Sequence, residues 1–71
     1  MTAERFEVIA TPSEGWWCIE VPAVPGVASQ GRSHEEVVFM AKDAIALILD
    51  IPVDQIEVEI RYQGTLLQAQ S

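Results

Sequence analysis

Acidic side chains on three segments of the chain are the residues most suited to chemistry, because carboxylates at the right spacing can hold two metal ions. The candidates are Glu7, Glu35 or Glu36, and Glu57 or Glu59. Those in the first and last segments alternate with apolar residues, which is typical of solvent-facing strand positions. Glu36 has a separate explanation as the partner of a helix cap. We therefore predict no metal site and no enzyme activity.

His34 and Cys18 are the other reactive side chains, and each is the only one of its type. One cysteine cannot form a disulfide within the chain, and one cysteine with one histidine cannot build a zinc site. His34 could serve as a pH switch or a base, but its place at a helix start favours a half-exposed structural residue. The four glycines are too scattered for a phosphate-binding loop. We expect no catalytic residue and no cofactor.

The charge balance is strongly acidic, with a net charge of −7 from eleven acidic and four basic residues. Such a surface repels phosphate backbones and acidic lipids, so we expect no direct nucleic-acid or membrane ligand. A basic protein would be a better partner. The alternative is that the acids only keep a small domain soluble. The N-terminus lacks the basic and apolar regions of a signal peptide, which predicts a cytoplasmic protein.

The length of 71 residues predicts one domain spanning residues 1–71. A chain of this size buries only about 60% of the surface that its unfolded form exposes. Small domains usually add a disulfide, a metal or a second chain to such a core. Because a disulfide and a metal site are excluded, stabilisation by oligomerisation or by a partner protein remains. Residues 64–71 are expected to form a flexible tail or a short extra strand.

Hydrophobic periodicity predicts the order β-β-β-α-β. Alternating apolar residues indicate strands at residues 5–11, 16–21 and 27–30 and around residues 55–63, with breaks at residues 12–15 and at "PAVPG". In "SHEE", Ser33 should accept from the Glu36 amide while the Glu36 carboxylate reaches back to the Ser33 amide. The helix should then run to about residue 50, before Pro52. A crossover through this helix predicts an α+β fold with a four-stranded mixed sheet in the order 3-2-1-4.

A single helix can cover only one face of this sheet. On the sheet, the predicted core residues are Phe6, Val8, Trp17, Ile19, Val21, Ile56, Val58 and Ile60. On the helix, spacings of three and four residues predict a buried stripe of Val37, Ala41, Ala44, Ile45 and Ile48, widened by Val38, Met40 and Leu47. The opposite sheet face, called the open face below, carries Arg5, Glu7, Ile9, Trp16, Cys18, Glu20, Glu57, Glu59 and Arg61.

The open face combines a large aromatic residue with carboxylates, a composition that suits an interface. The predicted partner-binding residues are Trp16, Glu7, Cys18, Glu20, Glu57 and Glu59 on this face, and Phe39 on the polar side of the helix. Two alternatives stay open. Trp16 could lie flat on the aliphatic stems of its neighbours. Phe39 could touch the C-terminal tail rather than a second chain.

Three consecutive stretches, "WWCIEVPAVPG", "SQGRS" and "HEEVVFMAKDAIALILD", carry a family resemblance. They contain, in this order, a strand with aromatic residues, a P-x-x-P-G turn, a glycine just before the helix cap (Gly31, the glycine step) and a helix with an acidic start. This order of features resembles the HicB-like antitoxin family. The resemblance implies a partial RNase H-like fold without nuclease activity. It also implies a partner, a HicA-type toxin, which is a small basic ribonuclease that cuts mRNA.

The chain departs from the family pattern after the last strand, where only about nine residues follow. Many members continue into a DNA-binding segment, so repression of transcription by this chain alone is not expected. Phe39 and Met40 stand where the family helix is often polar, which indicates an altered or additional contact surface. The alternative function is a stand-alone, self-associating HicB-like module without a toxin. The uncovered face and small core also predict a homodimer.

Overall fold

The computed structural model describes residues 3–65, which form a sheet with one helix packed on one of its faces. The elements are β1 (Glu4–Ser13), β2 (Trp16–Glu20), β3 (Ser29–Gly31), α1 (His34–Leu49), a short 3-10 turn (Val53–Gln55) and β4 (Ile56–Tyr62). The strand order is β3-β2-β1-β4, with β1 antiparallel to β2 and parallel to β4. The predicted α+β class and strand order are therefore confirmed. Most of the predicted tail, residues 66–71, lies outside the described residues.

Strand β1 is longer than predicted and continues through Pro12 to Ser13. The Ala10 carbonyl accepts a hydrogen bond from the Gln63 amide at 2.8 Å, on the side of β1 that faces β4. Pro12 lies two residues further along β1, so its backbone nitrogen also points toward β4. The pairing of β1 with β4, however, ends at Ala10. Its missing amide hydrogen therefore leaves no strand partner unsatisfied, and proline is tolerated there.

A two-residue turn joins β1 to β2. Glu14 has a φ of 53° and Gly15 a φ of 84°. Positive φ at both central positions is the geometry of a type I′ turn, whose twist matches that of the strands it joins. Ser13 therefore pairs directly with Trp16 across the hairpin.

The proline-rich loop between β2 and β3 contributes to the core through valines at every third position. The Val24 amide donates to the Val21 carbonyl at 2.9 Å, and the Val27 amide to the Val24 carbonyl at 3.3 Å. These two successive turns direct all three valine side chains inward, and all are buried. Strand β3 spans Ser29–Gly31, so the predicted strand over residues 27–30 starts two residues too early and ends one residue too early.

The start of α1 packs closely on Gly31. A Cβ atom at this position would lie 3.1 Å from the Val37 nitrogen, so only glycine fits without a shift of the backbone. The Ser33 Oγ accepts from the Glu36 amide at 3.1 Å, as predicted. The return bond differs, because the Glu36 Oε1 accepts from the Arg32 amide at 2.7 Å rather than from that of Ser33.

The C-terminal end of α1 corrects the predicted buried stripe. The helix ends at Leu49, and Asp50 takes a left-handed conformation with a φ of 58° two residues before Pro52. Leu47 is 81% exposed and Ile48 is 46% exposed, although both were predicted to face the sheet. Within residues 3–65, no helix has the length and hydropathy needed to cross a membrane.

The core lies between α1 and the sheet and is wholly apolar. Its buried members are Phe6, Val8, Ala10, Trp17, Ile19, Val21, Val24, Val27, Val37, Ala41, Ile45 and Ile56. Val58 and Ile60, which were predicted as core residues, are only half-buried because β4 is an edge strand. No buried side-chain polar atom in the described part lacks a hydrogen-bond partner.

Candidate interaction surfaces

The residues of the open face come from three strands, β1, β2 and β4, and the register places its charged residues side by side. Arg5 lies opposite Glu57, Glu7 opposite Glu59 and Ile9 opposite Arg61 on β1 and β4. On the other side of β1, Ile9 pairs with Glu20 and Thr11 with Cys18. The structure therefore brings together the six predicted partner-binding residues of this face, namely Trp16, Glu7, Cys18, Glu20, Glu57 and Glu59.

Two arginines contact three of the four carboxylates of this face. Glu7 and Glu59 are directly opposite one another, an arrangement that is destabilising unless cations intervene. The Arg61 Nε lies 2.8 Å from a Glu7 oxygen, and Arg5 approaches Glu57 at 3.6 Å and Glu59 at 3.8 Å. All these side chains are substantially exposed, so each pair contributes at most about 1 kcal/mol to stability. Their larger effect is to cancel charge locally.

Trp16 is half-buried, and its ring is covered on one side by the chain itself. The Arg32 guanidinium carbon lies 4.3 Å from the centroid of the indole, a cation–π contact. This contact resembles the alternative prediction that Trp16 lies flat on neighbouring side chains of its own chain. The covering group is the guanidinium of Arg32 instead of aliphatic side-chain stems. Cys18 and Glu20 beside it are exposed.

The open face is consequently far less acidic than the chain as a whole. Its four glutamates and the three arginines that contact it leave a net charge of −1. The other seven acids and Lys42 carry −6 of the total of −7. The charge surplus therefore lies outside the open face, on the helix, the loops and Glu4 at the start of β1.

A cluster of three aromatic rings lies at the opposite end of the helix from Leu47. His34 stacks on Tyr62 with ring centroids 4.1 Å apart, and Trp17 meets Tyr62 edge to face at 4.8 Å. The rings border a shallow groove of about 390 Å³, which Arg32 and Ser33 also line. Burial raises the pKa of the Tyr62 hydroxyl above its ordinary value.

This aromatic cluster was not predicted from the sequence. Tyr62 continues the alternation of the inward-facing residues of β4, which is the one local signal that it faces the helix. The contact between His34 and Tyr62 depends on where the helix starts above the sheet, which the sequence does not show. His34 is exposed, rather than half-exposed as predicted, at the first position of α1. Its stacking supports the prediction of a structural residue at the helix start.

Phe39 lies on the surface of α1 that faces away from the sheet and is 65% exposed. Leu47, eight residues further along, is 81% exposed, and Asp43 lies midway between them. Residues four apart along a helix form a continuous ridge. We call Phe39, Asp43 and Leu47 the outer ridge. Sequence reasoning identified Phe39 but assigned Leu47 to the edge of the buried stripe, although Leu47 lies about 120° around the helix from Ala41.

The carboxylates that could have held two metal ions lie on different layers of the molecule. Glu7, Glu57 and Glu59 are on the open face, whereas Glu35 and Glu36 belong to the first turn of α1 on the other side of the sheet. In the part of the chain from residue 3 to residue 65, no three histidine, cysteine, aspartate or glutamate side chains are grouped closely enough to bind a metal.

The fold and these surfaces define a small α+β domain in which one helix covers a four-stranded sheet. A UPF0150 protein of Archaeoglobus fulgidus is 34% identical over 44 residues, which cover 62% of this chain and 64% of that protein. A second, from Thermoplasma acidophilum, is 34% identical over 47 residues, covering 65% of this chain and 68% of that protein. The chain belongs to the UPF0150 family. No protein-family profile and no solved structure match it.

Proposed function

We propose that this protein is an antitoxin-like binding protein that neutralises a small, basic, mRNA-cleaving toxin of the HicA type by direct protein–protein contact. The observation that carries the proposal is the contact at Gly31. There the glycine step of the HicB-like resemblance packs against the backbone of the capped helix. This close packing gives the glycine of the motif a structural role, which supports the resemblance.

Family membership supports the same function. HicB-like antitoxins belong to the UPF0150 family of small proteins, in which the two relatives are placed by name. The alignments span just under two thirds of one relative and just over two thirds of the other. The antitoxin role is therefore taken from the resemblance and from the chemistry of the surface, and not from any activity of those relatives.

The charge of the chain supports a basic partner. A net charge of −7 accelerates the encounter with a cationic protein and opposes binding to nucleic acid. We propose that the protein acts in the cytoplasm, contacts no DNA or RNA directly and neutralises its partner by binding, without catalysis. On this proposal the open face, with its nearly balanced charge and half-buried Trp16, pairs with a second copy to form a homodimer.

Co-expression with the basic protein encoded by the adjacent reading frame tests this function. We expect that expression of the neighbour alone arrests growth, that this chain restores growth, and that the two purified proteins co-elute. Far-UV circular dichroism of both proteins controls for folding. If the folded proteins do not associate and this chain elutes only as its own oligomer, the stand-alone module is the better description and the antitoxin role is refuted.

A further inference from the structure

We infer that the basic partner docks on the outer ridge of α1, with Phe39 and Leu47 as apolar anchors, rather than on the open face of the sheet. This inference rests on the proposed function and names the surface that performs it. The partner required is a basic protein with an apolar groove that accepts one side of a helix.

The first argument is the exposure of the ridge. Phe39 and Leu47 are the two most exposed of the large hydrophobic side chains in the described part of the chain, at 65% and 81%. On the adjacent row, Met40 and Ala44 are half-buried and Ile48 is 46% exposed. Apart from Asp43, the two rows together form an apolar strip along the helix. A small monomeric protein has little reason to keep such a strip in water.

The second argument is the charge around the strip. Glu36 and Asp43 are seven residues apart, close to two helical turns, and so lie on the same side of α1. Asp50 ends the helix, and its last turn contains no basic residue to offset the negative end of the helix dipole. Lys42, the only cation of α1, lies beside Phe39, about 60° around the helix, but about 140° from Leu47, so the border is most acidic toward the Leu47 end. Positive charge at the rim of a partner groove would complement this border.

The same border argues against a second copy as the occupant. Two copies packed through this ridge would bring Asp43 of one chain close to acids of the other, and like charges across an interface are unfavourable. The open face carries a net charge of −1 and has no such restriction. Charge thus assigns the ridge to a basic partner and leaves the sheet face for self-association.

The test measures binding of the basic neighbour protein to three variants by isothermal titration calorimetry. We expect Phe39→Ala/Leu47→Ala to weaken binding by about 100-fold or more, because buried apolar anchors dominate interface energetics. The matched control is Leu49→Ala/Val53→Ala, which removes exposed apolar side chains from outside the ridge and should change the Kd by less than about threefold. Asp43→Asn/Asp50→Asn should weaken binding by about tenfold and reduce its salt dependence.

The outcomes separate this inference from the proposed function. If the wild-type chain binds and the folded ridge variant binds equally well, the docking surface is wrong although the antitoxin role stands. Light scattering that shows a wild-type dimer and a monomeric ridge variant would assign the ridge to a second copy and overturn the inference. Absence of wild-type binding would refute the proposed function, and the inference with it.

Discussion

The adjacent tryptophans provide the sharpest test of how the sheet divides the molecule. Trp17 is 4% exposed and contacts Tyr62 and His34 on the helix side, whereas Trp16 is half-buried on the open face under Arg32. Truncating each to alanine removes the same group from neighbouring positions of one strand. The two substitutions therefore differ only in the face that they affect.

The expected costs follow from these surroundings. Trp17→Ala leaves a large cavity and removes both ring contacts, and such changes cost about 3–5 kcal/mol. Trp16→Ala removes a cation–π contact and some partial burial, which together are worth about 1 kcal/mol. Domains of this size have a total stability of roughly 4–10 kcal/mol, so Trp17→Ala removes a large part of it.

Urea unfolding followed by far-UV circular dichroism measures both changes, and each variant keeps one tryptophan as a fluorescent probe. Because Trp17→Ala could be unfolded in water, Trp17→Phe serves as a milder variant with an expected loss of about 1–2 kcal/mol. Equal losses for Trp16→Ala and Trp17→Ala, or a smaller loss for Trp17→Phe than for Trp16→Ala, would refute the assignment of the faces.

Three further predictions concern the helix contact, the aromatic cluster and the open face. Gly31→Ala should lower the free energy of unfolding by about 1–3 kcal/mol, because its methyl group meets the backbone at Val37; an unchanged urea midpoint would contradict the close packing. Tyr62 is the only tyrosine, so absorbance at high pH should show it ionising later in the folded protein than in urea. Since its pKa is raised on folding, the unfolded state loses this proton first, and stability should fall as pH rises above the ordinary tyrosine pKa; a Tyr62→Phe variant should lack this component. Cys18, the only thiol, is exposed on the open face. Its modification by a thiol reagent should slow as protein concentration rises, because the proposed homodimer would cover it. A rate that does not depend on concentration, together with a monomer mass by light scattering, would argue against that dimer.

Local pattern in the sequence was enough to predict the elements and their order. Alternation along residues 5–11 and around residues 55–63 predicts two strands, and the two prolines of "PAVPG" exclude a central strand. The Ser33 cap marks the helix start because it depends on residues only three positions apart. Placing the final strand beside the first needed only the general rule for crossovers through a helix.

The candidate surfaces were less accessible to sequence reasoning, because they depend on register and on where elements end. Pairing of Arg5 and Arg61 with the glutamates follows from the alignment of β1 with β4, which no single segment specifies. The stacking of His34 on Tyr62 likewise joins residues that are distant in the chain.

Helical periodicity by itself determined which side of α1 is apolar, but the extent of burial was decided by the tertiary structure. Ile48 lies seven residues after Ala41, only about 20° around the helix from the centre of the buried stripe, yet it is 46% exposed. Periodicity records direction around a helix axis. Burial also requires a neighbouring layer opposite that position, and only the packed molecule shows where the layer ends.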